Sequence, residues 1–395
     1  WLVIRPSHAA AAARHLTRAV ALANDELKAL ADNASPTDRA RLIHCLVNTA
    51  LLIEHNLDLL GLTTEAVRLM SEEPPSALRA HVLHVHARAM YDRSRNDEAA
   101  RWGGEALAMA RQLRLTDIAS DCTLLLAKID ERSGDAKGAI AAVEAAIAEA
   151  RDAGEPYAEL RALYTLGSLR YGQGQLTESM QAFEQAAQRA NALGRQWAPY
   201  GMEAVLFGAI AAHVAGDWTR AARMVDHGGQ TAPEMAASLF DAVALEIAAG
   251  RGETAALAAM PRLRARWQLD GLIAIMSGAA AIELFSQSGD VASAMATHDD
   301  VVAFVAALWQ RPGFNARVRL AALLVGCLAS AAAGASASER ANLLRRGDEA
   351  AEAAVAVAAA MRDPGPEGFA WSARLRAERL RLHWLAGADP APASE

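Results

Sequence analysis

Three stretches of this chain lie over one another: SRNDEAARWGGEALAMARQLR (94–114), GDAKGAIAAVEAAIAEARDAG (134–154) and GQLTESMQAFEQAAQRANALG (174–194). Their starts are forty residues apart, and small residues recur at fixed offsets: Ala99, Ala106 and Ala110; Ala139, Ala146 and Ala150; Ser179, Ala186 and Ala190. Steps of seven and four place each trio on one helical face. Gly134 and Gly174 fall in the turn before this helix. Gly154 and Gly194 fall just past its end, where a left-handed cap is needed. Each such helix follows another amphipathic one, as Ala158–Tyr171 precedes Leu176–Ala192. The unit is a helix–turn–helix hairpin, which cannot bury its apolar stripe alone and must stack on its neighbours. Alanine at the recurring positions lets the stacked helices approach closely.

The pattern extends in both directions. Gly216-Asp217, Gly250 and Gly289-Asp290 mark later turns, and Glu65-Ala66 stands forty residues before Glu105-Ala106. Ser35-Pro36-Thr37-Asp38 offers an N-cap, a proline at the first helical position and an acid in the first turn, and Pro74-Pro75-Ser76 punctuates the next pair. Beyond residue 310 the register gives way to longer helices, expected at 315–333, 337–361 and 367–385. The expected organisation is a repeat array over 1–310, continuing helical repeats or a helical cap over 311–387, and a frayed tail over 388–395.

Composition agrees with an all-α chain. Its 395 residues include 96 alanines but only 20 aromatics, which argues against a β-rich fold. Hydrophobic residues at 53% and charged residues at 22% exclude a disordered chain. A net charge of −7, with lysine only at positions 28, 128 and 137, argues against direct nucleic-acid binding by this segment. Cys45, Cys122 and Cys327 are odd in number and widely separated, so they read as small core residues in a reducing compartment. Leu320–Ser338 carries no charge over nineteen residues, yet it is mostly Ala, Ser and Gly between Arg319 and Glu339. It therefore reads as a buried central helix and not as a membrane span. A cytoplasmic protein is expected, with no signal peptide at the start. A chain beginning at Trp1 in place of Met further reads as a segment of a longer protein.

The unit Ala158–Ala190 resembles a tetratricopeptide repeat. Leu163, Leu166, Gly167 and Tyr171 stand near the landmarks of its first helix, Gly174 at its turn, and Phe183 and Ala186 at those of its second. Ser179 replaces the usual alanine, and Asn191 stands in place of the terminal proline. A period of forty exceeds the common thirty-four and looks like the longer repeats of the MalT-like group. Asn96–Ala100, Glu105–Arg111 and Arg161–Gly167 are similar to the sensor arms of large ATP-binding regulators of the LuxR family. The resemblance is strongest over 36–217. It implies a right-handed superhelical solenoid of antiparallel hairpins. It also implies a sensing arm that lies between an ATP-binding P-loop module and a DNA-binding helix-turn-helix. Neither of those is in this sequence: no G-x-x-x-x-G-K-[ST] occurs and no basic recognition helix ends it.

Signatures of catalysis (H-E-x-x-H, C-x-x-C, G-x-S-x-G, G-x-G-x-x-G) do not occur, so a non-enzymatic chain without cofactor or metal is expected. The densest titratable group is His81, His84 and His86, with His44 forty residues before His84. His81 and His84 share a helical face and His86 points elsewhere, which is partial spacing at best for a metal. In the repeat family, positions two, five, nine and twelve of each first helix line the concave surface. Carried onto this chain, they give Arg41, His44, Asn48 and Leu51, then His81, His84, Arg88 and Tyr91. The next two units give Asp121, Leu124, Lys128 and Glu131, then Arg161, Tyr164, Ser168 and Tyr171. Of these, Arg41, His44, His81, His84, Arg88, Tyr91, Lys128, Arg161, Tyr164 and Tyr171 are the expected contact residues. They suit a protein or peptide, or a small anionic effector. The scattered tryptophans are expected to fill gaps between repeats. The leading expectation is a sensing arm of a transcriptional regulator; the alternative is a stand-alone scaffold for protein–protein contacts. No nucleic-acid or membrane partner is expected, and a homo-oligomer is compatible with the sequence.

Overall fold

The computed structural model describes residues 16–30, 34–52, 57–226, 232–310, 312–361 and 364–387. Among them there are eighteen α-helices and no strand. The chain divides into two compact units, one of residues 1–170 with 181–204 and one of residues 171–180 with 205–395. The tail over 388–395 lies outside the described residues.

Ten helices span the first half of the chain: α1 (Leu16–Ala29), α2 (Pro36–Ala50), α3 (Leu59–Leu69), α4 (Ala77–Asp92), α5 (Asn96–Gln112), α6 (Thr116–Arg132), α7 (Ala136–Asp152), α8 (Pro156–Gly172), α9 (Leu176–Ala192) and α10 (Pro199–Val214). In the first unit consecutive helices pack as antiparallel pairs, and α2 packs on α4 and α4 on α6. First helices of successive repeats thus form one row, and second helices cover it. The small residues that set the register are all buried, Ala99, Ala106, Ala110, Ala139, Ser179, Ala186 and Ala190 fully so. One large side chain depends on a missing one: a Cβ on Gly167 would stand 2.7 Å from Phe183 Cδ1, so only glycine lets this ring, 1% exposed, close on α8.

The second half continues with α11 (Trp218–Val225), α12 (Glu234–Gly250), α13 (Met260–Arg264), α14 (Gly271–Ser288), α15 (Val291–Leu308), α16 (Ala316–Ala332), α17 (Ala337–Ala359) and α18 (Gly365–Ala386). Here α12, α14, α16 and α18 form the corresponding row, each packed on the next, while α15 covers α14 and α17 covers α16. The last three helices fall within a residue or two of their expected bounds. The uncharged stretch Leu320–Ser338 supplies the buried body of α16, the turn after it and the first two residues of α17. Helices α14 and α15 are long and apolar enough to cross a membrane, with mean hydropathies of 1.3 and 1.4. Most of α14 is buried in the second unit, as a core helix would be.

The Gly-Asp pairs have a double role. Gly134, Gly216 and Gly289 take φ of 101°, 84° and 77° to end one helix. Asp135, Asp217 and Asp290 then accept from backbone N–H groups of Gly138, Arg220 and Ser293 to start the next. Ser35 caps α2 as expected, accepting from Asp38 N at 3.1 Å. Two details depart from the expected pattern. Gly250 is the last helical residue of α12, and the left-handed position is Gly252. Ser94 and Arg114, at the repeat positions of Gly134 and Gly154, hold φ of 60° and 56° without being glycine. Of the tryptophans, Trp267 is buried as a gap filler, but Trp384 is 74% exposed on α18 and fills nothing among the described residues.

Candidate functional site

Forty-residue spacing brings equivalent residues of successive first helices together. Asp121 of α6 and Arg161 of α8, one period apart, form an ion pair at 2.8 Å. Asn48 and Arg88, again one period apart, are joined by a weak hydrogen bond from Arg88 Nη1 at 3.4 Å. Within the first unit these helices, with the first turn of α10, enclose a cavity of about 130 Å³. It is lined by His84, Arg88, Tyr91, Asp92, Asp121, Leu124, Leu125, Lys128, Arg161, Thr165 and Tyr200.

Five of the ten expected contact residues line this cavity directly: His84, Arg88, Tyr91, Lys128 and Arg161. Tyr164 lies behind it, its ring 5.4 Å from Tyr200 and 5.8 Å from Phe183. The His81 ring lies 4.7 Å from that of His44, tilted by 36°, and Arg41 pairs with Asp38 on its own helix at 2.9 Å. Tyr171 belongs to the second unit, where its hydroxyl donates to Glu367 Oε2 at 2.9 Å. His86 is turned away, buried edge-on against Trp102. The Thr63 hydroxyl donates to Leu59 O at 2.9 Å, so His86 carries a proton on Nδ1 and donates it to Thr63 Oγ1 at 2.9 Å.

Burial dominates the ionisation of the cavity. It pushes His84 well below the ordinary imidazole range, and the Arg88 charge pushes the same way, so His84 is neutral at physiological pH. It lowers Lys128, against the attraction of Glu203 and Asp92, and raises Asp121 against Arg161 and Arg88. The Tyr91 phenol is pushed up to about 12, and Tyr164 and Tyr200 also rise, so all three remain hydrogen-bond donors. Lys128 makes no hydrogen bond or ion pair among the described residues. The lining therefore offers two cations not engaged by a carboxylate at close range, Arg88 and Lys128, beside one closed ion pair. It is mixed in charge, where the sequence track had emphasised arginine, histidine and lysine. Asp121 was on that track, and its pairing follows from the spacing to Arg161. Tyr200 was not, because the turn at 195–198 shifts the register before α10.

Among the described residues no cysteine lines the cavity. Cys122 is buried and its thiol is pushed up to about 12, so it carries no thiolate. No group of three or more His, Cys, Asp or Glu side chains that could hold a metal occurs among the described residues.

No family model matches the chain, and no curated protein matches it. Among solved structures it is similar to a Rap protein complexed with competence and sporulation factor. The identity is 9% over 98% of both chains, with a TM-score of 0.49. It is also similar to a circular tandem repeat protein with a novel repeat topology and enhanced subunit contact surfaces. There the identity is 14% over 98% of this chain and 90% of that one, with a TM-score of 0.21. Both likenesses are too slight to assign a family or a ligand to this chain.

Proposed function

We propose that this chain is a non-catalytic helical-repeat binding module, whose first unit takes a carboxylate-bearing protein or peptide segment against α4, α6 and α8. The observation that carries this reading is the pairing of Arg88 and Lys128 in one cavity, beside phenols that stay protonated. A carboxylate entering there gains charge-assisted hydrogen bonds from side chains that would otherwise stay desolvated and only weakly engaged. The Asp121–Arg161 pair and the exposed Asp92 supply acceptors for the amide N–H groups of a bound backbone. A mixed lining of this kind suits a peptide better than a small polyanion.

The test is selection from a displayed random-peptide library on the wild-type chain and on an Arg88→Ala/Lys128→Met double variant of matched melting temperature. Peptides rich in Asp, Glu or a free C-terminus should be enriched on the wild type and lost, by about tenfold or more in affinity, on the variant. The loss follows from removing charged hydrogen bonds at a desolvated site. Enrichment that is equal on both proteins contradicts the assignment.

A finer form of the same reading is the sensor arm of an ATP-binding regulator. It is favoured by the similarity of Asn96–Ala100, Glu105–Arg111 and Arg161–Gly167 to MalT-like arms. In that setting, occupancy would act by favouring one arrangement of the arm over another. Sequencing the reading frame past both ends tests it: a P-loop module upstream and a helix-turn-helix downstream are expected, and their absence contradicts it.

A further inference from the structure

The second unit contains a cavity of its own, about 200 Å³ in volume, lined from six helices, α10, α11, α12, α14, α16 and α18. It is lined by His213, Trp218, Glu246, Gly250, Ala280, Glu283, Arg319, Trp371 and Arg374. Its size is below the roughly 300–1,000 Å³ that houses drug-sized ligands, and it suits a small metabolite.

Two indoles form its apolar walls. Trp218 lies against α12 because position 250 is glycine: a Cβ there would stand 3.2 Å from Trp218 Cζ2. Trp371 is fixed through Nε1–H, which donates to Glu367 Oε1 at 3.3 Å. The guanidinium groups of Arg319 and Arg374 each lie 5.2 Å from the Trp371 ring.

The polar groups fall into an acidic and a basic set, and each keeps unused capacity. Arg319 binds Glu246 Oε1 at 2.7 Å through one terminal nitrogen, but its buried Nε has no hydrogen-bond partner among the described residues. Among the described residues the one carboxylate that Arg374 reaches is Glu378, at 3.9 Å. The Glu283 carboxylate has no hydrogen bond or ion pair among the described residues. The buried Nδ1 of His213 is likewise without a hydrogen-bond partner there. Burial and the Arg319 charge lower the His213 pKa, so the ring is neutral and Nδ1 can accept when the proton sits on Nε2.

A ligand that satisfies this set needs an acceptor group for the arginines, a donor group for Glu283 and His213, and an apolar portion for the indoles. A simple carboxylic acid leaves Glu283 and His213 unmatched, and a simple amine leaves the arginines unmatched. We propose that this cavity binds a free α-amino acid, its carboxylate at Arg319 and Arg374, its ammonium at Glu283, and its side chain between Trp218 and Trp371. The site is independent of the peptide-binding reading of the first unit.

Equilibrium dialysis of the full chain against an equimolar mixture of the twenty protein amino acids, read by chromatography, tests the proposal. One amino acid or a small apolar or aromatic group should be retained at least threefold over the dialysate. Calorimetry on the retained amino acid should then show at least tenfold weaker binding for its decarboxylated amine and for its deaminated acid. Glu283→Gln and Arg374→Gln should each weaken it by a similar factor, with melting temperatures unchanged. Retention of none of the twenty overturns the proposal, as does equal affinity for the deaminated acid. The analogue comparison uses the wild-type chain, so it stands whether or not the variants fold.

Discussion

The two units bury their polar groups by different routes. Along the first helices of the first unit, α2, α4, α6 and α8, polar contacts repeat with the sequence period: Asn48 meets Arg88 and Asp121 meets Arg161, each pair forty residues apart. In the second, Glu246 meets Arg319 and Tyr171 meets Glu367, over separations that no repeat length sets. A regular period makes a side chain's partner readable from its spacing. Once the period is lost and the helices lengthen, as α17 and α18 do, the same kind of contact still forms, but only tertiary packing selects the partner.

The sharpest way to break the comparison is to overpack one unit at a time. Gly167→Ala puts a methyl 2.7 Å from Phe183 in the first unit, and Gly278→Ala drives one into Val301 Cγ2 in the second. Each should cost about 1–3 kcal/mol, the usual range for inserted volume in a packed core. Amide exchange should show the larger loss of protection in the unit that carries the change. Equal loss in both units would mean that they unfold as one.

His86 and Glu246 give their units pH contributions of opposite sign. His86 has its pKa lowered to about 4 by burial, below the ordinary 6.5, so the unfolded chain takes up a proton between these values before the fold does. This contribution is fully present above pH 6.5 and is lost as pH falls towards 4. Glu246, 4% exposed, has its pKa raised from 4.5 to about 7, chiefly by burial and against the opposing pull of Arg319. The fold then holds the extra proton, so that contribution is present below pH 4.5 and is lost as pH rises towards 7. Each group supplies a slope of at most about 1.4 kcal/mol per pH unit. With exchange rates corrected for pH, the first unit should weaken on acidification to pH 5. In the second, Glu246 opposes the loss that His213 brings, so the weakening should be smaller, and Glu246→Gln should make it larger. A Glu246→Gln variant with the wild-type pH profile would refute the assignment.

The smallest effect concerns the turns. Arg114→Gly and Ser94→Gly place glycine where the backbone is left-handed, as Gly154 and Gly134 already do. Each should raise stability by about 0.5–1 kcal/mol, because strain at a non-glycine residue outweighs the added chain entropy. Thermal melts would show this as a gain of a few degrees at most.

Much of the fold was legible because three independent signals agree: the alanine register, the Gly-Asp punctuation and the N-cap residues all mark the same hairpins. Half of the expected contact residues line the cavity for the same reason, since His84, Arg88, Tyr91, Lys128 and Arg161 share the periodic track. Tyr171, on the same track, instead donates its hydroxyl to Glu367 in the second unit. Tyr200 escaped it, because a turn of irregular length precedes α10. The cavity of the second unit had no spacing to announce it: Glu283, Arg319 and Trp371 meet through the row of first helices and not through a motif.

The measurement that tests the central claim most directly is hydrogen exchange on the full chain with and without a carboxylate-rich peptide selected on it. The account predicts added protection confined to α4, α6 and α8, centred on 84–92, 121–128 and 161–165, and abolished by Arg88→Ala/Lys128→Met. Protection at other helices with none at these, or protection that survives the double variant, would contradict it.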